Sequence, residues 1–121
     1  NFSHAAHFVK LFGKKLLEQQ LPDDVDVLKV EIPSNATSET RWEITALSKI
    51  RYYQTIKPDR KSWDDPAKIA YTVSKNWQNA PKNTDVYALH GKRIVSVTPL
   101  SLDLTSRLEL KNLEQLLREK N

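Results

Sequence analysis

The stretch TDVYALHGKRIVSVT, Thr84 to Thr98, decides how the chain is organised. Two apolar, β-prone runs, Val86 to Leu89 and Ile94 to Val97, flank His90-Gly91-Lys92-Arg93. Gly91 is one of only two glycines in the sequence. The pattern predicts a β-hairpin that turns on Gly91 at positive φ, with strands over about residues 84–89 and 93–98. Such a hairpin would be the spine of a small sheet, with helices before and after it.

Working outward, residues 3–20 have the spacing of an amphipathic helix. Ser3 is placed to cap it, Ala5, Phe8, Val9, Phe12 and Leu16 recur on one face, and Pro22 stops it. Residues 25–32 alternate, with Leu28, Val30 and Ile32 on one side and Lys29 and Glu31 on the other, which is the period of a half-buried strand. Trp42, Ile44 and Ala46 continue that period across a polar loop, so residues 41–53 read as the antiparallel partner. Asp65 followed by Pro66 is a favoured helix start, and Ala70, Val73 and Trp77 would be the buried stripe of a helix over 66–78. Leu110, Leu113, Leu116 and Leu117 mark a last helix over 106–120. The expected fold class is α+β: one small domain over 1–121, an antiparallel sheet of two hairpins with helices packed on it, in the order α-β-β-α-β-β-α.

The chain's 121 residues suit one domain, and 39% hydrophobic with 28% charged residues is the composition of a folded protein rather than a disordered one. No apolar run approaches the roughly 20 residues that cross a bilayer as a helix. The absence of cysteine removes disulfides, cysteine-zinc sites and thiol catalysis together. It also makes an intracellular setting the favoured expectation over a secreted one, although no compartment is specified. Asn1 at the start would follow from a removed targeting peptide, organellar import included, or from a cut within a longer chain.

Charge is local. The window from Lys49 to Trp63 holds Lys49, Arg51, Lys57, Arg60 and Lys61 against Asp59, and so carries the whole formal net charge of +4. Tyr52, Tyr53 and Trp63 interleave with these cations, a mixture that neutralises phosphates and stacks on the bases of single-stranded RNA. His90, Lys92 and Arg93 at the predicted turn would extend the same surface. The bland counterpart is a solvated loop over core tyrosines. The leucines Leu110, Leu113, Leu116 and Leu117 are likewise expected to meet a protein partner, against the plainer expectation that they close the chain's own core.

His4 and His7 lie three apart on the first helix, but spacing supplies no third ligand, so no metal is expected. There is no phosphate-binding glycine loop and no nucleophile elbow, so neither a cofactor nor a small-molecule substrate is evident. The one catalytic option carried along is a nuclease-like hydrolase using His90. The element order resembles that of small non-catalytic subunits of tRNA-processing complexes, without a residue motif to carry the likeness. These observations lead to the expectation of a non-enzymatic accessory subunit in a larger assembly, most plausibly a ribonucleoprotein. The second expectation is a protein-interaction domain docking through its terminal helices, with no nucleic-acid contact.

Overall fold

The computed structural model describes residues 2–119. Its elements are α1 (Ser3–Glu18), β1 (Val27–Glu31), β2 (Trp42–Ile44), β3 (Tyr53–Ile56), β4 (Ala70–Val73), a 3-10 helix (Lys75–Asn79), α2 (Asp85–Tyr87) running into a π-turn (Ala88–Lys92), β5 (Val95–Leu100) and α3 (Leu110–Arg118). The result is an α+β fold.

The main sheet is built on β5. It pairs with β1 antiparallel, from Val27 opposite Leu100 to Glu31 opposite Ser96, and with β2 in parallel, from Trp42 opposite Val95 to Ile44 opposite Val97. A strand flanked on both sides and covered on both faces is fully buried, and Val95, Ser96, Val97 and Thr98 are at most 1% exposed. Its alternation splits the two faces. Val95 and Val97 join Phe8 and Phe12 of α1 in the core, with Leu28 and Val30 of β1 packed against them. Phe8 and Phe12 are four residues apart, so one stripe of α1 covers the sheet. Ser96 and Thr98 are bridged by Thr45, whose Oγ1 lies 2.8 Å from both of their hydroxyl oxygens, so a buried polar layer is satisfied within the fold.

Several sequence expectations are corrected. Residues 84–89 are not a strand: Thr84 is extended, and the backbone then turns helical from Asp85 to Lys92. No hairpin forms over 84–98, and the sheet around β5 is mixed rather than built from two hairpins. Positive φ falls on Arg93 (φ 58°, ψ 40°), the residue that ends the π-turn, and on no glycine. Gly91 serves space instead. A Cβ there would lie 3.2 Å from Trp77 Cζ3 and 3.2 Å from the Tyr87 ring.

The expected helix over 66–78 is replaced by β4 and the 3-10 helix. Asp65 does not cap a helix: its Oδ2 accepts from the backbone N–H of Lys61 (3.0 Å) and Ser62 (2.9 Å), closing the loop before β4. Ala70-Tyr71-Thr72-Val73 then follows its β-branched and aromatic content and pairs antiparallel with β3, Tyr53 opposite Val73. The expected strand over 41–53 breaks because Ala46 is drawn to the 83–85 segment, donating to Asn83 O and accepting from the Asp85 N–H. Ser3 is the first residue of α1 rather than its cap, and the order of elements differs from α-β-β-α-β-β-α accordingly. The expected last helix begins only at Leu110; its predicted end, Lys120, lies outside the described residues. α3 buries none of its residues, so Leu110, Leu113, Leu116 and Leu117 do not close the core.

Candidate functional site

A cleft of about 170 Å³ opens between β1, the start of β3 and the helical turn after Thr84. Its polar floor comes from alternation along β1. With Leu28, Val30 and Ile32 packed against the core, Lys29 and Glu31 face the other way and meet Asp85, the first residue of α2. Lys29 Nζ donates to Asp85 Oδ2 at 2.8 Å and lies 2.8 Å from Glu31 Oε2. Asp85 is only 3% exposed and is fully engaged: Oδ1 also accepts from the backbone N–H groups of Ser48 and Val86, both at 2.8 Å.

The wall of the cleft is aromatic. Tyr52, just before β3, stacks on His90 of the π-turn with ring centroids 4.0 Å apart and planes 16° from parallel, and its phenol oxygen lies 3.2 Å from His90 Nδ1. Tyr53 meets the Tyr52 ring edge-on at 4.8 Å. Tyr52 is held by its carbonyl, which accepts from the Ser74 N–H at 2.8 Å beyond the last pair of the β3–β4 ladder. His90 is held by a π-turn, a rare conformation met often at functional sites.

Charge states follow from these contacts. Burial pushes the Asp85 carboxyl up, but the Lys29 ammonium and the N–H groups of Ser48 and Val86 outweigh it and hold the acid below its ordinary value. Burial also works against the Lys29 charge, and Asp85 and Glu31 outweigh it to raise that amine. His90 is lowered by burial and by the nearby Arg93 cation, against Glu31. Tyr52 is raised by burial and by Tyr53, against Arg93. At neutral pH Asp85 and Lys29 therefore face each other as an ion pair, and the wall is a pair of neutral rings. Among the described residues, no three His, Asp or Glu side chains gather closely enough to hold a metal ion.

The residues singled out in sequence divide into separate groups. Tyr52, Tyr53 and His90 come together in the cleft. Arg93 stands beside it, exposed, with its charge felt by both Tyr52 and His90. Lys92 is taken up in an ion pair with Glu43. Lys49 and Arg51 are exposed. Lys57, Arg60, Lys61 and Trp63 lie on the loop joining β3 to β4, where the Arg60 guanidinium sits 4.1 Å over the Trp63 ring. No hydrogen bond, ion pair or ring contact among the described residues joins that loop to residues 90–93. Sequence reasoning missed Lys29, Glu31 and Asp85. The charged face of the β1 alternation was a signal, and Thr84-Asp85 ahead of an apolar run has the form of a helix start.

No family model matches the chain. It is 37% identical over 117 residues to a 5'-nucleotidase SurE of Thermococcus gammatolerans and 38% identical over 117 residues to that of Thermococcus kodakarensis. Both alignments take in 97% of this chain, against 43% and 44% of those relatives. The chain thus spans less than half the length of the curated relatives it matches. Among solved structures it is similar to the SurE protein from Aquifex aeolicus, with a TM-score of 0.65 and 27% identity over 96% of this chain and 46% of that one. These findings overturn the expectation of a non-catalytic accessory subunit of a ribonucleoprotein, and with it the protein-interaction domain. The relatives bear the name of an enzyme, and of one whose substrate is a small molecule, a nucleotide.

Proposed function

We propose that the chain is part of a phosphomonoesterase acting on nucleoside 5'-monophosphates. In that reaction a water oxygen bonds to phosphorus, the bond from phosphorus to the 5'-oxygen breaks, and a proton passes to that oxygen, giving a nucleoside and inorganic phosphate. The observation that carries the proposal is identity of 37–38% to named 5'-nucleotidases spread over 97% of this chain, rather than over a short motif. The cleft supports it independently. An aromatic wall over a polar floor suits a ligand with one flat apolar part and one polar part.

The test is phosphate release by the intact protein from 5'-AMP and 3'-AMP, with common divalent cations supplied. Release from 5'-AMP, much faster than from 3'-AMP, is expected. No release from 5'-AMP, or equal release from both isomers, would overturn the proposal.

A further inference from the structure

We infer that the cleft between β1 and the π-turn binds the nucleoside half of the substrate, with the base against the Tyr52–His90 stack and the ribose hydroxyls on Glu31. The inference rests on the nucleotidase reading and adds to it a place for the non-reacting half of the nucleotide.

Size comes first. About 170 Å³ is smaller than the ~300–1,000 Å³ of a typical drug-sized pocket. It suits one ring system with part of a sugar and leaves a phosphate outside. The wall then fits a base. Tyr52 and His90 already stack on each other, both are half-buried, and both rings are neutral at neutral pH. Stacking of a base on such rings is tolerant of base identity, because every base presents a π-face.

The floor separates two carboxylates that look alike in sequence. Both Asp85 oxygens already have partners, Lys29 on one and Ser48 and Val86 on the other, and the residue is buried. Glu31 is different. Its Oε2 meets Lys29, its other oxygen has no partner among the described residues, and the side chain is 34% exposed. An ionised carboxylate with a free oxygen, held in place by a neighbouring ammonium, is an acceptor for the vicinal hydroxyls of ribose. Lys29 holds Glu31 in place at 2.8 Å, and Asp85 anchors Lys29.

Backbone conformation points to the same place. Arg93 is the only residue among those described with a left-handed conformation, at a position where helices commonly end on glycine. Strained conformations of this kind cluster at ligand sites. Here the strained residue is a cation whose charge is felt by both stacked rings.

Adenosine, which has no phosphate to hydrolyse, separates this inference from the catalytic proposal. The intact protein would be titrated calorimetrically with adenosine and 2'-deoxyadenosine, alongside Tyr52→Leu, Tyr52→Phe and Glu31→Gln, with circular dichroism confirming each fold. The expected pattern is binding by the wild type, little change in Tyr52→Phe, and a loss of about tenfold in Tyr52→Leu, in line with one stacked base. The wild type should prefer adenosine to 2'-deoxyadenosine, and Glu31→Gln should lose that preference. A wild type that hydrolyses 5'-AMP but does not bind adenosine overturns the cleft assignment and leaves the nucleotidase reading standing. So does equal adenosine binding by all four folded proteins. Absence of both binding and hydrolysis removes both. If Tyr52→Leu fails to fold, the ribose preference of Glu31→Gln decides alone.

Discussion

Replacing Asp85 with alanine should destabilise the protein by about 3 kcal/mol, and the figure can be assembled from its contacts. The carboxylate accepts from the N–H groups of Ser48 and Val86 and from Lys29 Nζ, each at 2.8 Å. Leaving each of the two part-buried backbone donors without an acceptor costs about 1 kcal/mol. Lys29 is a third exposed and keeps Glu31 at 2.8 Å, so its charge is not stranded; the lost pair is worth about 1 kcal/mol or less. Asp85→Asn keeps an oxygen acceptor but turns a donor toward Lys29, and about 1–2 kcal/mol of loss is expected. Urea unfolding followed by tryptophan fluorescence would measure both. The pH dependence has a definite sign. The folded carboxyl is held below its ordinary value, so its contribution is complete above about pH 4, the unfolded-state value, and is lost as pH falls through the lower folded value. In Asp85→Ala that part of the acid-side loss should disappear. A loss below about 0.5 kcal/mol for Asp85→Ala, or equal losses for alanine and asparagine, would refute the account of Asp85 as the acceptor that ties β1, the 46–48 segment and the helical turn together.

Two further substitutions test the turn and the polar layer. Gly91→Ala should cost about 1 kcal/mol because its new methyl meets Trp77 and Tyr87 at 3.2 Å, and should shift the Trp77 emission. Arg93→Gly should instead be neutral or stabilising by up to about 1 kcal/mol, because relief of the left-handed strain exceeds the added freedom of the unfolded chain; thermal melts of the two variants should move apart. Thr45→Val keeps the shape but leaves the Ser96 and Thr98 hydroxyls without their shared partner in a buried layer, and a loss of about 1–3 kcal/mol in urea unfolding is expected.

Where one periodicity had one interpretation, the chain could be read directly. Phe8 and Phe12 at helical spacing, and Leu28, Val30 and Ile32 at strand spacing, sit on the core faces that their periods imply. The errors came where local preference and tertiary pairing disagreed. Val86, Tyr87 and Leu89 are good strand residues, but the stacking of His90 on Tyr52 and the Asp85 contacts hold that segment helical. Asp65-Pro66 looks like a helix start, but Asp65 is spent on the loop before it, and β4 pairs with β3. Part of the cleft was legible: Tyr52, Tyr53 and His90 stood out in the sequence as candidate nucleic-acid contacts, while Lys29, Glu31 and Asp85 were not singled out as site residues.

By itself, the sequence determined the class of fold, the covering helix, the core face of β1 and the lack of any cysteine chemistry, because these depend on composition and on periods within a few residues. Only the tertiary structure decided that β5 is the centre of a mixed sheet, that positive φ belongs to Arg93 and not Gly91, and that residues 29, 31, 52, 85 and 90 share one cleft. Strand partners and site members are separated by tens of residues, and a pattern confined to neighbouring positions carries no information about which distant segment will supply the hydrogen bond.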